Sequence, residues 1–454
     1  MSSSKSIVRI IGAGLAGSEA AWQLAERGVS VTLFEMRPVA MTKAHSTGSF
    51  AELVCSNSFR GADLSNAVGL LKEELRIARS LIMREADTHA VPAGGALAVD
   101  RVRFSEGVDA AIRAHPLINC VCAEVTAIPT DISPEAPVII ATGPLTSPAL
   151  SKQIEHHIGQ GRLSFFDAIS PILVGSSLDL SVIFRQSRYD KGEGDDYLNI
   201  PLTKDEYLGF VNAVNNAEKF GGHDQVESDS IENLRPFEGC MPIEDMIARG
   251  PDTLRYGPFK PVGLTDPRTG RRPYAVMQLR QDDREGELWS LVGMQTRMKH
   301  GEQLKIFRSL PGMSDAEFVR LGSVHRNSFI DSPKVLTRGL EVRNQPGLFF
   351  AGQITGVEGY VESTAAGLVA ASAVIDRLNG TATREFPIET AMGSLVAYVS
   401  EPTRTDFQPM NISFGLMPSY LEALKTRARG SDKREFRKGI SERALQAMRN
   451  FVAH

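Results

Sequence analysis

The chain is poor in cysteine and tryptophan, with four and two residues among 454, and it has no long apolar run. Four cysteines are too few for a disulfide scaffold, and without an apolar export signal near Met1 they predict a cytoplasmic protein. A membrane-spanning helix needs about 18 consecutive apolar residues, so none is predicted. Lys and Arg total 50 against 54 Asp and Glu, which excludes a protein coated in positive charge but allows local basic patches.

A dinucleotide-binding pattern stands at the start of the chain. A β-branched run, Ile7–Ile11, precedes a glycine-rich turn, a helical pattern follows to Arg27, and Glu35 ends the next strand. The turn consists of Gly12, Ala13, Gly14, Leu15, Ala16 and Gly17. The three glycines suit a tight turn, a close approach to a pyrophosphate and close helix packing, and Glu35 can accept ribose hydroxyls. A turn without a ligand and a site for S-adenosylmethionine are the alternatives.

A second glycine-bearing strand-to-helix junction lies near the other end of the chain. Its residues of interest are Gly352, Gln353, Gly356 and Tyr360, and a long Ala-rich helix follows. A loosely bound NAD rarely needs both chain ends, whereas FAD spans a longer path and is often held by a late glycine strand. The pair of junctions therefore favours FAD, with a simple packing junction as the alternative.

These patterns predict an α/β protein with a Rossmann-like FAD-binding domain and an inserted α+β domain. Residues 1–160 form the first part of the FAD-binding domain, and residues 318–454 form the second part with a basic C-terminal helical segment. Residues 161–317, in which strand-like runs alternate with polar Pro- and Gly-containing loops, form the insert. Within the first part, the spacing predicts one helix over Asn66–Arg84 and a strand over Val121–Ile128.

The four cysteines fall into two classes. Cys120 and Cys122 lie two residues apart in a strand-like run and are predicted to be small core residues on one face. Cys55 and Cys240 lie in loops, the latter between a glycine and a nearby proline, where side chains are often accessible. By composition alone, reactive thiols and incidental thiols are equally plausible for this second pair.

Eight blocks of the chain are long and specific: GAGLAGSEAA, FAELVCSNSFRG, NAVGLLKEE, VPAGGALAVDR, ENLRPFEGCMPIEDM, RPYAVMQLRQD, AEFVRLGSVHRNSFIDSP and AGQITGVEGYVESTAAG. These blocks resemble one family, the folate- and FAD-dependent tRNA (uracil-5-)-methyltransferases, which is related to glucose-inhibited division protein A. The resemblance covers the chain from about Val8 to Asn411.

The resemblance implies transfer of the methylene carbon of 5,10-methylenetetrahydrofolate to C5 of a uridine in the T-loop of tRNA, with FAD and NAD(P)H supplying the reducing equivalents. It also implies that Cys55 and Cys240 are the catalytic pair. Cys240 is then the better candidate for attack on C6, and Cys55 assists as proton acceptor or in handling the carbon unit, although the assignment could be reversed. A thiolate on C6 is needed because C5 of uracil is otherwise a poor nucleophile.

Other positions are candidates for contacts with folate or RNA. The resemblance points to the motif His325, Arg326 and Asn327 and to Trp289. A structural imidazole for His325 and a core position for Trp289 are the alternatives. RNA binding needs local positive charge. Two segments offer it: 425–449, with nine Lys and Arg against three acids, and 249–284, with eight against four. Either segment could equally be a solvated surface.

Three candidate functions are consistent with the sequence. The first is methylation of tRNA, or of ribosomal RNA by the same chemistry, which the sequence does not distinguish. The second is a flavin oxidoreductase for a small molecule, and the third is a non-catalytic flavoprotein that acts as a binding partner in tRNA maturation. Two loop thiols and two basic segments favour the first, and no stable protein partner is predicted.

Overall fold

The computed structural model describes residues 7–42, 44–159, 163–220, 241–405, 407–426 and 432–453. The strands are β1 Ile7–Ile11, β2 Ser30–Glu35, β3 Ser58–Gly61, β4 Ala90–Val91, β5 Ala96–Val99, β6 Ile118–Cys122, β7 Val138–Ile140, β8 Leu163–Ile169, β9 Ile172–Val174, β10 Phe184–Arg185, β11 Tyr197–Leu202, β12 Ala275–Gln281, β13 Leu288–Leu291, β14 Phe318–Arg320, β15 Ser323–Phe329 and β16 Leu348–Phe350. The helices are α1 Leu15–Ala25, α2 Ala67–Ile77, α3 Leu81–Thr88, α4 Arg101–Ala114, α5 Pro148–Ile158, α6 Lys204–Asn216, α7 Ile243–Ala248, α8 Thr253–Tyr256, α9 His300–Arg308, α10 Ser332–Val335, α11 Tyr360–Leu378, α12 Ala391–Ser400, α13 Pro418–Thr426 and α14 Lys433–Ala453. Short 3₁₀ turns occupy Gly143–Leu145, Gly175–Ser177, Arg188–Asp190, Gln353–Thr355 and Phe414–Leu416.

A parallel five-stranded sheet with the order β16-β7-β1-β2-β6 holds the two ends of the chain together. Its central strand pairs with β2 on one side and β7 on the other, and β16, from the late part of the chain, pairs with β7. Val8 and Ile10 are fully buried, as expected for a strand covered on both faces. Because all five strands are parallel, their carboxyl ends meet at one edge, where ligands of open α/β sheets bind.

Helices α1 and α11 pack against each other above this sheet, so the glycine turn and the late junction become neighbours. The contact depends on Gly367 in α11: a Cβ there would lie 2.2 Å from the carbonyl oxygen of Ala16. Glycine therefore allows the backbones of the two helices to touch, at the point where α1 begins.

A separate antiparallel sheet, ordered β10-β11-β12-β13-β9-β14, lies between residues 172 and 320. Its core contains Trp289, Tyr207 and Phe259, which belong to a different cluster from the core around β1. Helices α6, α7 and α9 contribute to this second core. The antiparallel pair β8 and β15 joins the segment to the remainder of the chain. The parallel sheet with its helices and the separate antiparallel sheet with its helices agree with the predicted fold class. The domain boundaries at 161 and 317 stay predictions.

Two predicted elements are wrong. The helix expected over Asn66–Arg84 is two helices, because Arg79 adopts a left-handed conformation at φ 58° and Ser80 then caps α3 by accepting the N–H of Met83. The strand expected over Val121–Ile128 instead covers Ile118–Cys122 and ends where its partner β2 ends, at the pair of Glu35 with Cys122.

The predicted burial of the paired cysteines is also wrong: Cys122 is exposed and Cys120 is half-buried. As the outermost strand, β6 has a neighbour on one side only, and this leaves its end open to solvent. Among the described residues, no helix is long and apolar enough to cross a membrane.

Candidate active site

An open cavity with about 1050 Å³ of empty space lies at the carboxyl edge of the parallel sheet. Its wall combines residues from both chain ends. The sequence-predicted residues in the wall are Gly12, Gly14, Leu15, Ala16, Glu35, Gly352, Gln353 and Tyr360. Of the remaining predicted residues, Ala13, Gly17, Gly356 and Cys55 lie outside the wall.

Close contacts between backbone atoms determine the shape of the first glycine turn. Gly12 has φ +100°, and a Cβ at Gly17 would lie 1.8 Å from the carbonyl oxygen of Gly12, so no side chain fits there. A Cβ at Gly14 would meet nothing within 4 Å, which leaves an open approach from the cavity. Gly14 is also the N-cap of α1, and no side chain caps this helix end in the described structure. The first N–H groups of α1 are thus available to an anionic group in the cavity.

Glu35 lies at the end of β2, where one carboxylate oxygen accepts the N–H of Ala13 at 2.9 Å. The other oxygen accepts the Nε–H of Arg37 at 2.9 Å, and Arg37 also pairs with Glu52 at 3.2 Å. Burial alone would raise the pKa of Glu35, but the hydrogen bonds and charge of Arg37 outweigh it, so that pKa lies below its usual value. Glu35 is therefore an ionised acceptor fixed beside the turn.

The late junction supplies the opposite wall. Gly352 has φ +79°, and a Cβ there would lie 2.8 Å from the Cβ of Ala16. Gln353 donates to Glu358 at 2.7 Å, which fixes its amide at the wall. Gly356 has φ +80° and sits behind the wall, where a Cβ would lie 2.4 Å from the ring of Phe407.

Tyr360 connects the cavity to the loop that carries Cys55. Its hydroxyl oxygen accepts the backbone N–H groups of Cys55 at 2.9 Å and of Ser56 at 3.1 Å. Burial, followed by the nearby charge of Cys55, raises the pKa of Tyr360 well above its usual value, so the phenol stays protonated. Val54, directly before Cys55, is itself part of the wall. The half-buried thiol of Cys55 therefore lies one residue from the cavity.

The structure gives a different answer for each of the remaining candidate residues. Cys240 lies outside the described residues, as does the whole ENLRPFEGC part of the ENLRPFEGCMPIEDM block. Trp289 is 1 % exposed and donates its indole N–H to the carbonyl of Gly286, so it is a core residue and does not face a ligand. His325, Arg326 and Asn327 lie in β15, and their side chains are outside the described part of the structure.

Sequence reasoning missed part of the wall. It did not assign Arg37, Glu52 or the segment 142–147, all of which line the cavity. The Thr142-Gly143-Pro144 turn follows β7, whose neighbour β1 carries the glycine turn, so sheet order was the signal that would have identified it. Arg37 was detectable only as a cation two residues beyond Glu35.

Comparisons with known proteins agree with this geometry. The family model described as glucose inhibited division protein A matches residues 7–382. A curated protein of Symbiobacterium thermophilum, named methylenetetrahydrofolate–tRNA-(uracil-5-)-methyltransferase TrmFO, is 55% identical over 441 residues, which is 97% of this chain and 96% of that protein. The protein of the same name from Natranaerobius thermophilus is 53% identical over 443 residues, 98% of each chain.

The fold has a solved counterpart in GidA of Aquifex aeolicus. The two structures align with a TM-score of 0.69 at 16% identity, over 98% of this chain and 73% of that one. This likeness confirms the predicted fold class, and the curated relatives confirm the resemblance drawn from the sequence blocks. The chain therefore belongs to the glucose-inhibited division protein A family, among the methylenetetrahydrofolate–tRNA-(uracil-5-)-methyltransferases called TrmFO.

Proposed function

We propose that this chain methylates C5 of a uridine in the T-loop of tRNA, forming ribothymidine. The carbon donor is 5,10-methylenetetrahydrofolate, and FAD with NAD(P)H provides the reducing equivalents. The names of the relatives support the donor and the RNA substrate. The observation that carries the proposal is Tyr360, which lines the cavity and also binds the backbone of Cys55. The scarcity of cysteine supports action in the cytoplasm.

The residues of the cavity fit FAD. Gly14 leaves open space in front of the uncapped start of α1, which suits a pyrophosphate. Glu35 offers ionised oxygens for ribose hydroxyls. Gly352 and Gln353, with Tyr360, would hold the flavin end of the molecule. When bound, FAD supplies the hydride chemistry that reduces a methylene carbon to a methyl group.

The chain itself would activate the uracil. A thiolate that adds to C6 makes C5 nucleophilic, and a base must later remove the proton from C5. We assign the addition to Cys240 and the assisting role to Cys55. Support for Cys55 comes from its position one residue from the cavity wall and from the N–H groups of Cys55 and Ser56, which both donate to the hydroxyl oxygen of Tyr360. The target base has to leave its stacked position to reach these groups.

Two experiments test the proposal. Purified protein is incubated with FAD, NADPH, methylene-labelled methylenetetrahydrofolate and unmodified tRNA, and label in ribothymidine is measured. Incorporation that requires folate supports the proposal, whereas incorporation from S-adenosylmethionine or none at all would contradict it. Fragments of ribosomal RNA in a parallel reaction test the alternative substrate, and turnover of NADPH without RNA tests the small-molecule oxidoreductase.

The second experiment addresses the thiols. RNA containing 5-fluorouridine should form a covalent adduct with the wild-type protein, because a fluorine at C5 blocks the later loss of a proton. Cys240→Ser should abolish the adduct, and Cys122→Ser serves as the matched control because Cys122 is exposed on an outer strand. An adduct that persists in Cys240→Ser and disappears in Cys55→Ser would reverse the assignment of the two thiols.

A further inference from the structure

Three arginines from different elements converge on the loop of Cys55. Arg101, at the start of α4, donates to the carbonyl of Leu53. Arg320, at the end of β14, donates from Nη1 to the carbonyl of Val54 at 3.2 Å. Arg280 of β12 donates from Nε to the side chain of Asn57 at 2.9 Å. The sheet segment and the parallel-sheet part of the chain thus meet at this loop.

The positive charge of this group is only partly balanced. Asp282 forms a two-pronged pair with Arg101, at 3.0 and 3.2 Å. In the described part of the chain, neither Arg280 nor Arg320 forms an ion pair with a carboxylate. With one aspartate against three arginines, two positive charges remain beside the thiol of Cys55. Half-buried cations without counter-charges are unfavourable and uncommon in folded proteins.

Arg320 has N–H groups that form no hydrogen bond with the described residues. Its Nε and Nη2 atoms are shielded from solvent and have no hydrogen-bond partner among the described residues. Burial, and then repulsion from Arg101, lowers the pKa of Arg320 to about 10, so the guanidinium is still charged at neutral pH. Buried donors are nearly always satisfied in native proteins, and an unsatisfied one calls for an explanation such as a functional role or a bound water or ion. A guanidinium edge with two N–H groups matches two oxygens of a phosphate or carboxylate.

The location of these donors connects them to the reaction. Arg320 is bonded to Val54, a residue of the cavity wall, and its charge acts on Cys55. An anion held by Arg320 would therefore lie near the loop that carries both Val54 and Cys55. Under the proposed function, both substrates carry suitable oxygens: RNA has phosphodiesters, and folate has the carboxylates of its glutamate tail.

We propose that Arg320, assisted by Arg280, is a substrate-binding residue that holds an anionic oxygen group of a substrate beside Cys55. This inference rests on the proposed function for the identity of the substrate. The anion site itself is independent of methyl transfer and can be tested with inorganic phosphate alone.

The first test measures alkylation of Cys55 by iodoacetamide in the full-length holoprotein, with the modified peptide quantified by mass spectrometry. Phosphate at millimolar concentration should slow the reaction of the wild-type protein several-fold and saturably, because the bound anion covers the thiol and cancels the positive charge. In Arg320→Met the effect of phosphate should disappear, and Arg320→Lys should restore part of it. An equal effect of phosphate in Arg320→Met, or no effect in the wild-type protein, would overturn the proposal.

The matched control is Arg377→Met. Arg377 is also half-buried with an unpartnered Nε, but its charge is paired with Glu341. Its replacement should leave the response of Cys55 to phosphate unchanged, and FAD content together with the melting temperature shows that each variant is folded. A phosphate response lost equally in Arg377→Met would mean a general structural effect and would overturn the proposal.

The second test identifies the source of the anion from steady-state kinetics. Arg320→Met should raise KM at least tenfold for one substrate and leave the KM of the other within twofold. A rise for tRNA assigns the site to a phosphodiester, and a rise for methylenetetrahydrofolate assigns it to a carboxylate. If kcat falls while both KM values stay constant, Arg320 does not bind substrate. If no protein methylates RNA, the proposed function fails while the phosphate test still decides whether the anion site exists.

Discussion

At the scale of single residues, Tyr360 is the link between the cavity and the thiol loop, because one hydroxyl oxygen accepts the N–H groups of both Cys55 and Ser56. Tyr360→Phe keeps the ring but leaves two N–H groups without that acceptor. Each lost bond of this kind costs about 1 kcal/mol. We expect FAD content to stay near that of the wild-type protein, while kcat falls roughly tenfold because the thiol loop loses its fixed position. Absorbance of bound flavin and label transfer measure the two effects, and unchanged kcat would contradict the linking role.

Lys72 is a second residue whose environment sets a measurable property. It is fully buried and donates to the carbonyls of Phe59 at 2.8 Å and Gly61 at 2.7 Å, just beyond the thiol loop. Burial lowers the pKa of Lys72 to about 7, from 10.5. The folded state therefore binds this proton less tightly than the unfolded state, so this residue adds stability as pH rises from about 7 towards 10.5.

Lys72→Met should remove this pH dependence while keeping an apolar side chain of similar length. The free energy of unfolding of the wild-type protein should rise relative to the variant by up to about 1.4 kcal/mol per pH unit above pH 7. Denaturant unfolding at pH 7, 8 and 9 measures the difference. Since both proteins share every other titrating group, a constant difference across this range would mean that the carbonyl contacts hold Lys72 charged throughout.

The role of a residue could be predicted where neighbouring residues in the sequence determine it. It could not be predicted where it depends on contacts that form only when distant segments pack together. The tasks assigned to Gly12 and Gly17 follow from their spacing between a strand and a helix, and the geometry agrees with them. Arg320 had no signal, because β14 brings it to Cys55 only through the packing of a distant segment. The break at Arg79 was equally hidden, since arginine seldom adopts a left-handed conformation and gives no warning of one.

At the scale of elements, the contact between α1 and α11 closes the cavity. A Cβ at Gly367 would approach the carbonyl oxygen of Ala16 to 2.2 Å and its Cα to 2.9 Å, so Gly367→Ala must push the helices apart. Forced expansion of a packed contact costs about 1–3 kcal/mol. We expect the melting temperature to fall by several degrees and FAD to bind more weakly, because Ala16 is in the cavity wall.

The control for this helix contact is Gly209→Ala in α6, where a Cβ would meet nothing within 4 Å. Alanine is favoured over glycine inside a helix by about 1 kcal/mol, so this variant should be as stable as the wild-type protein or slightly more so. Calorimetry and a flavin titration separate the two substitutions. If Gly367→Ala bound FAD as tightly as Gly209→Ala, the close packing of the two helices would not shape the cavity.

At the scale of the whole molecule, the parallel sheet and the insert could be predicted because each carries its own pattern: buried β-branched runs with glycine turns in one, and short strands between polar loops in the other. The distribution of charge over the surface could not be predicted, because the sequence does not show which Lys and Arg side chains are exposed and which are paired. Within 249–284, Arg268 pairs with Asp266 at 2.9 Å and Arg255 stacks 3.7 Å above the ring of Tyr274. Arg280 is one of the groups at the thiol loop. These three arginines therefore have partners, whereas Lys260, Arg271 and Arg272 of the same segment are exposed.

The basic C-terminal helix is one of the two RNA-binding candidates. Helix α14 buries Ile440 and Leu445 and packs on α2, so its opposite face points to solvent, where Arg443 and Arg449 are exposed. Each phosphate contact contributes about 0.7–0.9 to the slope of log affinity against log salt concentration. Arg443→Ser with Arg449→Ser should therefore weaken tRNA binding and lower that slope by one to two units, without changing FAD content.

A charge-matched double variant, Lys152→Ser with Lys204→Ser, should leave the slope close to that of the wild-type protein. Filter binding from about 50 to 200 mM salt measures all three proteins, and an unaltered slope in the arginine variant would place the RNA on another face of the molecule.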